Sequence, residues 1–241
     1  MRVAVITDVH ANLPALQAAI NAIQAYGYDA IFHTGDAIGI GPSPAECIEL
    51  LLDTPRTYCL IGNHEDWLLR GLPADQQEWM NDSIVEHLQW THDQIDPPLR
   101  SEVAKWPYDL TKEFNDVGAY FLHYALDTSG TNFLSVDEKP SFSELDAVLE
   151  GRRAGIVCFG HYHLPVDENG HRRYINPGSL GLYKMPSAYF SLIDFDKSNF
   201  TIQHCRAHYD DNELFELFEN RSVPGRSLIY KAFYDGRFDG A

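Results

Sequence analysis

Five short groups of polar residues carry the chemistry in this chain: Asp8-Val-His10, Gly35-Asp36, Gly62-Asn-His-Glu65, His123 and Gly160-His-Tyr-His163. Four of them follow a short apolar run, directly or after one residue: Val3–Ile6, Leu60-Ile61, Ala119–Leu122 and Ala154–Phe159. The fifth, Asp36, comes three residues after the run ending at Phe32-His33. Asp8 and His10, like His161 and His163, are two residues apart, and on an extended strand end such a pair points to one side. A core has no need of Asp, His, Asp, Asn and His at successive strand ends, whereas a metal centre does. Carboxylate, imidazole and amide oxygen together suit Mn, Fe, Zn or Ni rather than a thiolate site. Asp-x-His alone is a weak motif; repetition at strand ends makes the case. His33, on the approach to its turn, reads as a packed strand residue.

The elements that position these groups follow from apolar runs and punctuation. Val3–Ile6, Asp29–His33 and Arg56–Ile61 read as strands buried on both faces, as in a parallel sheet. Between them lie a helix from Asn12 to Gly27, with Asn12 as cap and Leu13, Leu16, Ile20 and Ile23 inward, and a helix over Pro44–Leu52, with Ser43 as cap and Ile48, Leu51 and Leu52 inward. The carboxyl ends of such strands are where open α/β sheets bind ligands. Residues 66–110 differ: all four tryptophans (Trp67, Trp79, Trp90, Trp106) fall there, among helical patterns broken by Pro97-Pro98 and Pro107. This is expected to be a helical insertion beside the crevice, as plain layer packing, a lid or a dimer surface. Further strands are expected at Ala119–Leu122, Ala154–Phe159 and Arg172–Ile175. A helix from Ser141 to Glu150 carries a capping box, Ser141 to Glu144. Residues 189–195 and 200–205 alternate about a turn and predict an antiparallel hairpin. The extension at about 206–241 holds a short helix, Asn212–Glu219, and an apolar patch (Leu228, Ile229, Tyr230, Phe233, Tyr234, Phe238) with no chemistry assigned.

Composition narrows the partners. The 241 residues suit one domain with appendages, and 18 basic against 35 acidic residues give a net charge of −17. That balance argues against a nonspecific nucleic-acid or anionic-membrane surface. A phosphate substrate would need local positive charge, for which bound metal ions are the obvious source. The N-terminal apolar run is too short for a signal peptide, and no stretch nears the ~20 apolar residues of a membrane span. Cys47, Cys59, Cys158 and Cys205 form no C-x-x-C pair, so free thiols and a cytoplasmic setting are expected. The aromatic insertion and tail leave a homo-oligomer open.

The ordered set of five motifs, from the first strand to about Gly181, resembles the metallophosphoesterase (calcineurin-like) superfamily. Gly41-Pro42 and Asn176-Pro-Gly-Ser179 are similar to features of its smaller bacterial phosphodiesterase-like members. The resemblance implies an α/β fold, a four-layer α/β/β/α sandwich of two mixed β-sheets with the metal site at the strand ends, the second sheet resting mainly on the later strands. It also implies two divalent transition-metal ions, Mn foremost, with Fe, Ni or Zn as alternatives. Asp8, His10 and His163 would bind one, Asn63, His123 and His161 the other, and Asp36 would bridge them. The implied reaction is hydrolysis of a phosphodiester or small phosphomonoester by hydroxide generated between ions about 3.5–4 Å apart. His64 would be the general acid and Glu65 would orient it. Where relatives carry glycine and arginine this chain has Tyr124 and Lys184, which become the expected substrate contacts. Ala37-Ile38 stands where the protein Ser/Thr phosphatase branch would have Asp-Arg, which argues against that branch. The alternative is a non-catalytic metal-binding scaffold on the same fold.

Overall fold

The computed structural model describes residues 1–72, 81–134, 142–149, 151 and 154–235. The chain opens with β1 (Arg2–Ile6), α1 (Leu13–Tyr26), β2 (Ala30–His33), α2 (Pro44–Asp53) and β3 (Thr57–Cys59). Helices α3 (Asn63–Arg70), α4 (Asp82–Asp93) and α5 (Pro97–Val103) follow. Then come β4 (Asp109–Phe114), β5 (Val117–Leu122), α6 (Phe142–Val148), β6 (Ile156–Cys158), β7 (Val166–Asn169) and β8 (Arg173–Asn176). The chain continues with β9 (Ser187–Asp196), β10 (Asn199–His208), α7 (Asp211–Asn220) and α8 (Arg226–Phe233). Trp79, Ser141 with its capping box, Glu150 and Phe238 lie outside the described residues.

Two five-stranded mixed sheets result, in spatial orders β10-β9-β1-β2-β3 and β4-β5-β6-β8-β7. In the first, β1, β2 and β3 run parallel; in the second, β5, β6 and β8 do. Alternation along β1 explains its unbroken apolar run. Val3 and Val5 enter the core between the sheets with Phe32, Phe121 and Ile156, while Ala4 and Ile6 pack outward with Leu16 and Ile20 of α1. Leu145 and Leu149 pack on the outer face of the second sheet against Tyr120, Val157 and Phe159. Helix, sheet, sheet and helix are the four expected layers.

Local signals explain most boundaries. Asn12 Oδ1 accepts from the Ala15 N–H, Pro14 sits in the first turn of α1, and Gly27 ends it at φ +75°. Asp96 caps α5, which opens on Pro97. Ser43, by contrast, precedes α2 without a side-chain capping bond, and Leu52 is exposed; Cys47, Ile48 and Leu51 form the buried face. The larger correction concerns the sheets. The late strands pair as the expected antiparallel hairpin but join the first sheet, with β9 antiparallel to β1. The reason is two-faced burial: Phe190 and Leu192 pack on the α1 side, and Ile193 and Phe195 enter the intersheet core. The second sheet is completed by β4 and β7, which the sequence reading did not anticipate.

Phe32 stacks on Phe121 across the two sheets at a 4.0 Å centroid distance, both rings buried. Phe121→Ala is expected to lower unfolding free energy by about 3–5 kcal/mol. Urea denaturation reads this as a lower midpoint at unchanged slope.

Candidate metal centre

The carboxyl ends of the parallel strands of both sheets meet at one place. Asp8 and His10 follow β1, Asp36 follows β2, His123 follows β5, and His161 and His163 follow β6. Asn63 and His64 occupy the first turn of α3, directly after β3. The paired motifs do not reach the centre from extended backbone as expected. Asp8, His10, Asp36, His161 and His163 all have left-handed φ, between +47° and +70°. The chain doubles back at each strand end, and the side chains still converge.

The convergence is close. His163 Nε2 lies 3.4 Å from Asp8 Oδ1 and 2.9 Å from His10 Nε2, itself 3.6 Å from Asp8 Oδ1. On the other side, Asn63 Oδ1 lies 3.1 Å from His123 Nε2 and 2.9 Å from His161 Nδ1. Asp36 Oδ2 stands between, 3.8 Å from His10 Nε2 and 3.3 Å from His123 Nε2. Donor atoms of Asp8, His10 and His163, and those of Asp36, His123 and His161, form groups in which all atoms lie within 4.8 Å of one another. A third such group is His10, Asp36 and His64. All seven expected ligands are thus brought together.

Supporting contacts aim these atoms. The His123 Nδ1–H donates to the Thr34 carbonyl at 2.8 Å, which leaves the Nε2 lone pair facing inward. Asp8 Oδ2 accepts from the Thr7 hydroxyl and the His161 N–H, and Asp36 Oδ1 accepts from the His64 N–H. Ser179 donates its hydroxyl proton to the Asp8 carbonyl, and Asn176 Nδ2 donates to that of Gly160, so the Asn-Pro-Gly-Ser loop buttresses two strand ends. Gly39, at φ +83°, is required for room: a Cβ there would fall 2.1 Å from His64 Nδ1.

The electrostatics favour a cation. Burial opposes charge on Asp8, but the His10 and His163 rings beside it hold its pKa well below the usual range. Burial likewise opposes charge on Asp36, and His123 and His64 outweigh it. His123, despite burial, is drawn up to about 9 by Asp36. Burial lowers His10, and takes His161 down to about 4. Two ionised, buried carboxylates ringed by imidazole and amide donors, with no described thiolate among them, fit divalent ions.

Three expected roles change on the structure. Glu65 does not bond to His64. Its carboxylate accepts from the backbone N–H groups of Asp36, Ala37, Ile38 and Gly62 at 2.8–3.2 Å, tying the Gly35-Asp36 turn to the start of α3. Burial and Asp36 raise its pKa to about 7 against the pull of those donors. Lys184 is exposed and paired with Asp235 at 3.0 Å, outside the residues lining the crevice. Its four-residue separation from Gly-Ser-Leu carries it past the centre. Tyr124 is buried behind His161, the rings 5.0 Å apart, rather than facing the crevice. His33 is buried outside the cluster, as expected, its pKa lowered to about 3 by burial.

A cleft of about 760 Å³ opens over the centre, lined by His10, Asp36, Asn63, His64, His161 and His163 at its base. One wall is the expected helical insertion, where α4 contributes Ile84, His87 and Leu88; the other, from α8, is Leu228, Ile229, Ala232 and Phe233, to which the sequence assigned no chemistry. The apolar patch of the C-terminal extension was the available signal.

Metal-ligand donors gathered at the strand ends of a double-sheet α/β sandwich define a metal-centred α/β protein. The calcineurin-like phosphoesterase superfamily domain matches residues 1–198, and the chain belongs to that family. It is 26% identical over 238 residues to the uncharacterized protein MJ0912 of Methanocaldococcus jannaschii, covering 92% of this chain and 93% of the relative. The fold is shared with the hypothetical protein PH1004 of Pyrococcus horikoshii OT3, with TM-score 0.77, 20% identity and 97% of each chain covered. It is shared too with a metallophosphoesterase of Sphaerobacter thermophilus, with TM-score 0.69, 22% identity and coverage of 95% and 96%. Family and site together support a metal-dependent phosphoesterase. No helix among the described residues is long and apolar enough to cross a membrane.

Proposed function

We propose that the protein is a two-metal phosphoesterase that hydrolyses a phosphodiester or a phosphomonoester. The observation that carries this is Asp36, whose Oδ2 lies within reach of both sides of the centre, 3.8 Å from His10 Nε2 and 3.3 Å from His123 Nε2. Asp8, His10 and His163 would hold one ion and Asn63, His123 and His161 the other, with Asp36 placed to serve both. The mixed donor set suits Mn first, with Fe, Ni or Zn as alternatives. When bound, such a pair supplies a water-derived nucleophile at neutral pH and neutralises phosphate charge. His64 supplies the leaving-group proton from the cleft base, its ring edge-on to His10 at 5.1 Å and to Trp67 at 4.8 Å. Burial lowers its pKa to about 3 against the opposing pull of Asp36. A cytoplasmic setting belongs to the same reading, supported by four free cysteines.

The test is hydrolysis of bis-p-nitrophenyl phosphate and p-nitrophenyl phosphate by metal-stripped protein refilled with Mn, Ni, Zn or Mg. Activity should return with Mn. His64→Ala should lower turnover ~10²–10⁴-fold while two ions per chain remain by elemental analysis. Two bound ions without hydrolysis of any phosphate ester would turn the reading to the scaffold.

A further inference from the structure

The cleft over the centre is built from a different chemistry than its floor. Trp67 stands 4.8 Å, ring centre to ring centre, from His64; Phe133 stands 5.7 Å from His123; Phe233 stands 6.3 Å from His163. An aromatic ring therefore abuts the centre on each of three sides, and aliphatic surface from Ile84, Leu88 and Leu228 continues outward. Among the described residues lining the cleft there is no lysine or arginine, and Asp66 is part of the wall. Leu228, an apolar side chain at the rim, is 50% exposed. A volume of about 760 Å³ lies in the range that encloses a sizeable organic molecule, well beyond what a phosphate group needs.

We propose that this site selects phosphate esters carrying a bulky apolar alkyl or aryl group, which occupies the cleft while the phosphate sits on the centre. The proposal rests on the phosphoesterase reading above. A nucleoside polyphosphate or a sugar phosphate fits poorly. Its additional charges or hydroxyls would be desolvated against Trp67, Phe133, Phe233 and the aliphatic wall, with no lysine or arginine among the described lining residues to receive them. An apolar group gains there by leaving water, up to about fourfold in affinity per methylene buried. His87 does not alter this balance: its Nδ1–H donates to the Pro224 carbonyl and burial lowers its pKa to about 4, so it lines the wall as a neutral ring.

Two measurements on the Mn-loaded full chain test this. The first is kcat/KM for methyl, butyl and octyl p-nitrophenyl phosphodiesters and for thymidine 5′-(p-nitrophenyl phosphate). The second is calorimetric binding of methyl-, butyl- and octylphosphonate, which are not hydrolysed. Both kcat/KM and affinity should rise at least tenfold from methyl to octyl, and the octyl ester should exceed the thymidine ester. Leu228→Asp, at an exposed rim position, should pull the octyl-to-methyl ratio toward one. Hydrolysis that is flat with chain length, or faster with the thymidine ester, overturns the inference and leaves the phosphoesterase standing. Phosphonate affinity that climbs with chain length, without hydrolysis of any ester, supports the cleft's selectivity and overturns the enzyme.

Discussion

Asp36→Asn is expected to abolish hydrolysis and strip the centre, with metal affinity falling more than ~100-fold. That exceeds the 10–100-fold loss typical of residues one step removed from an ion. The carboxylate serves both ligand groups through Oδ2 and holds the first turn of α3 through Oδ1, which accepts from the His64 N–H. An amide of the same shape keeps one acceptor and turns the other atom into a donor. If Nδ2 takes the Oδ2 place, an N–H faces the His123 and His10 nitrogens where an ion needs a lone pair. If Oδ1 is lost instead, the His64 N–H is orphaned. Either way the negative charge is gone. Elemental analysis after desalting checks the result. Retention of two ions per chain with full turnover would mean that Asp36 is not shared.

Glu65→Gln is expected to produce the largest loss of stability for its size, about 2–6 kcal/mol. Four buried N–H groups end on this one carboxylate: Ala37 and Ile38 on Oε1, Asp36 and Gly62 on Oε2. Glutamine keeps one acceptor oxygen and presents an NH₂ to the two donors on the other side. Each buried donor left unsatisfied costs ~1–3 kcal/mol. Urea denaturation gives the number directly. Ordinary stability combined with a selective loss of His64 function would restore the orienting role that the sequence suggested.

Those two residues also show where a sequence stops being legible. Asp36 could be read because it belongs to a repeated pattern, an apolar run followed by a ligand, and each run is continuous because its strand is covered on both faces. Glu65 stands out in the sequence beside His64, but its carboxylate accepts from backbone N–H groups instead. Its position three residues after Gly62 is half of a capping box, which favours a bond back to the Gly62 N–H, but nothing local shows that Asp36, Ala37 and Ile38 share the same oxygens. Strands β4 and β7 escaped because Asp-Leu-Thr-Lys-Glu-Phe and Val-Asp-Glu-Asn are mostly polar edge strands whose outer positions face water. The Asn115-Asp116 pair between β4 and β5, with Asn115 at φ +55°, was the readable hint. The hairpin of β9 and β10 was legible as a hairpin, but a hairpin does not encode which sheet edge receives it. Lys184 was placed by neighbourhood in sequence alone, and the turns after Ser179 take it elsewhere.

The left-handed backbone at Asp8, His10, Asp36, His161 and His163 has an evolutionary reading. Each of these residues adopts a φ that glycine would hold more comfortably, at a cost of order 1–3 kcal/mol apiece. A population of variants selected for heat resistance alone would therefore gain by relaxing these corners, and would erode the centre before it touched the sheets. Keeping five such residues in place trades robustness for a working centre.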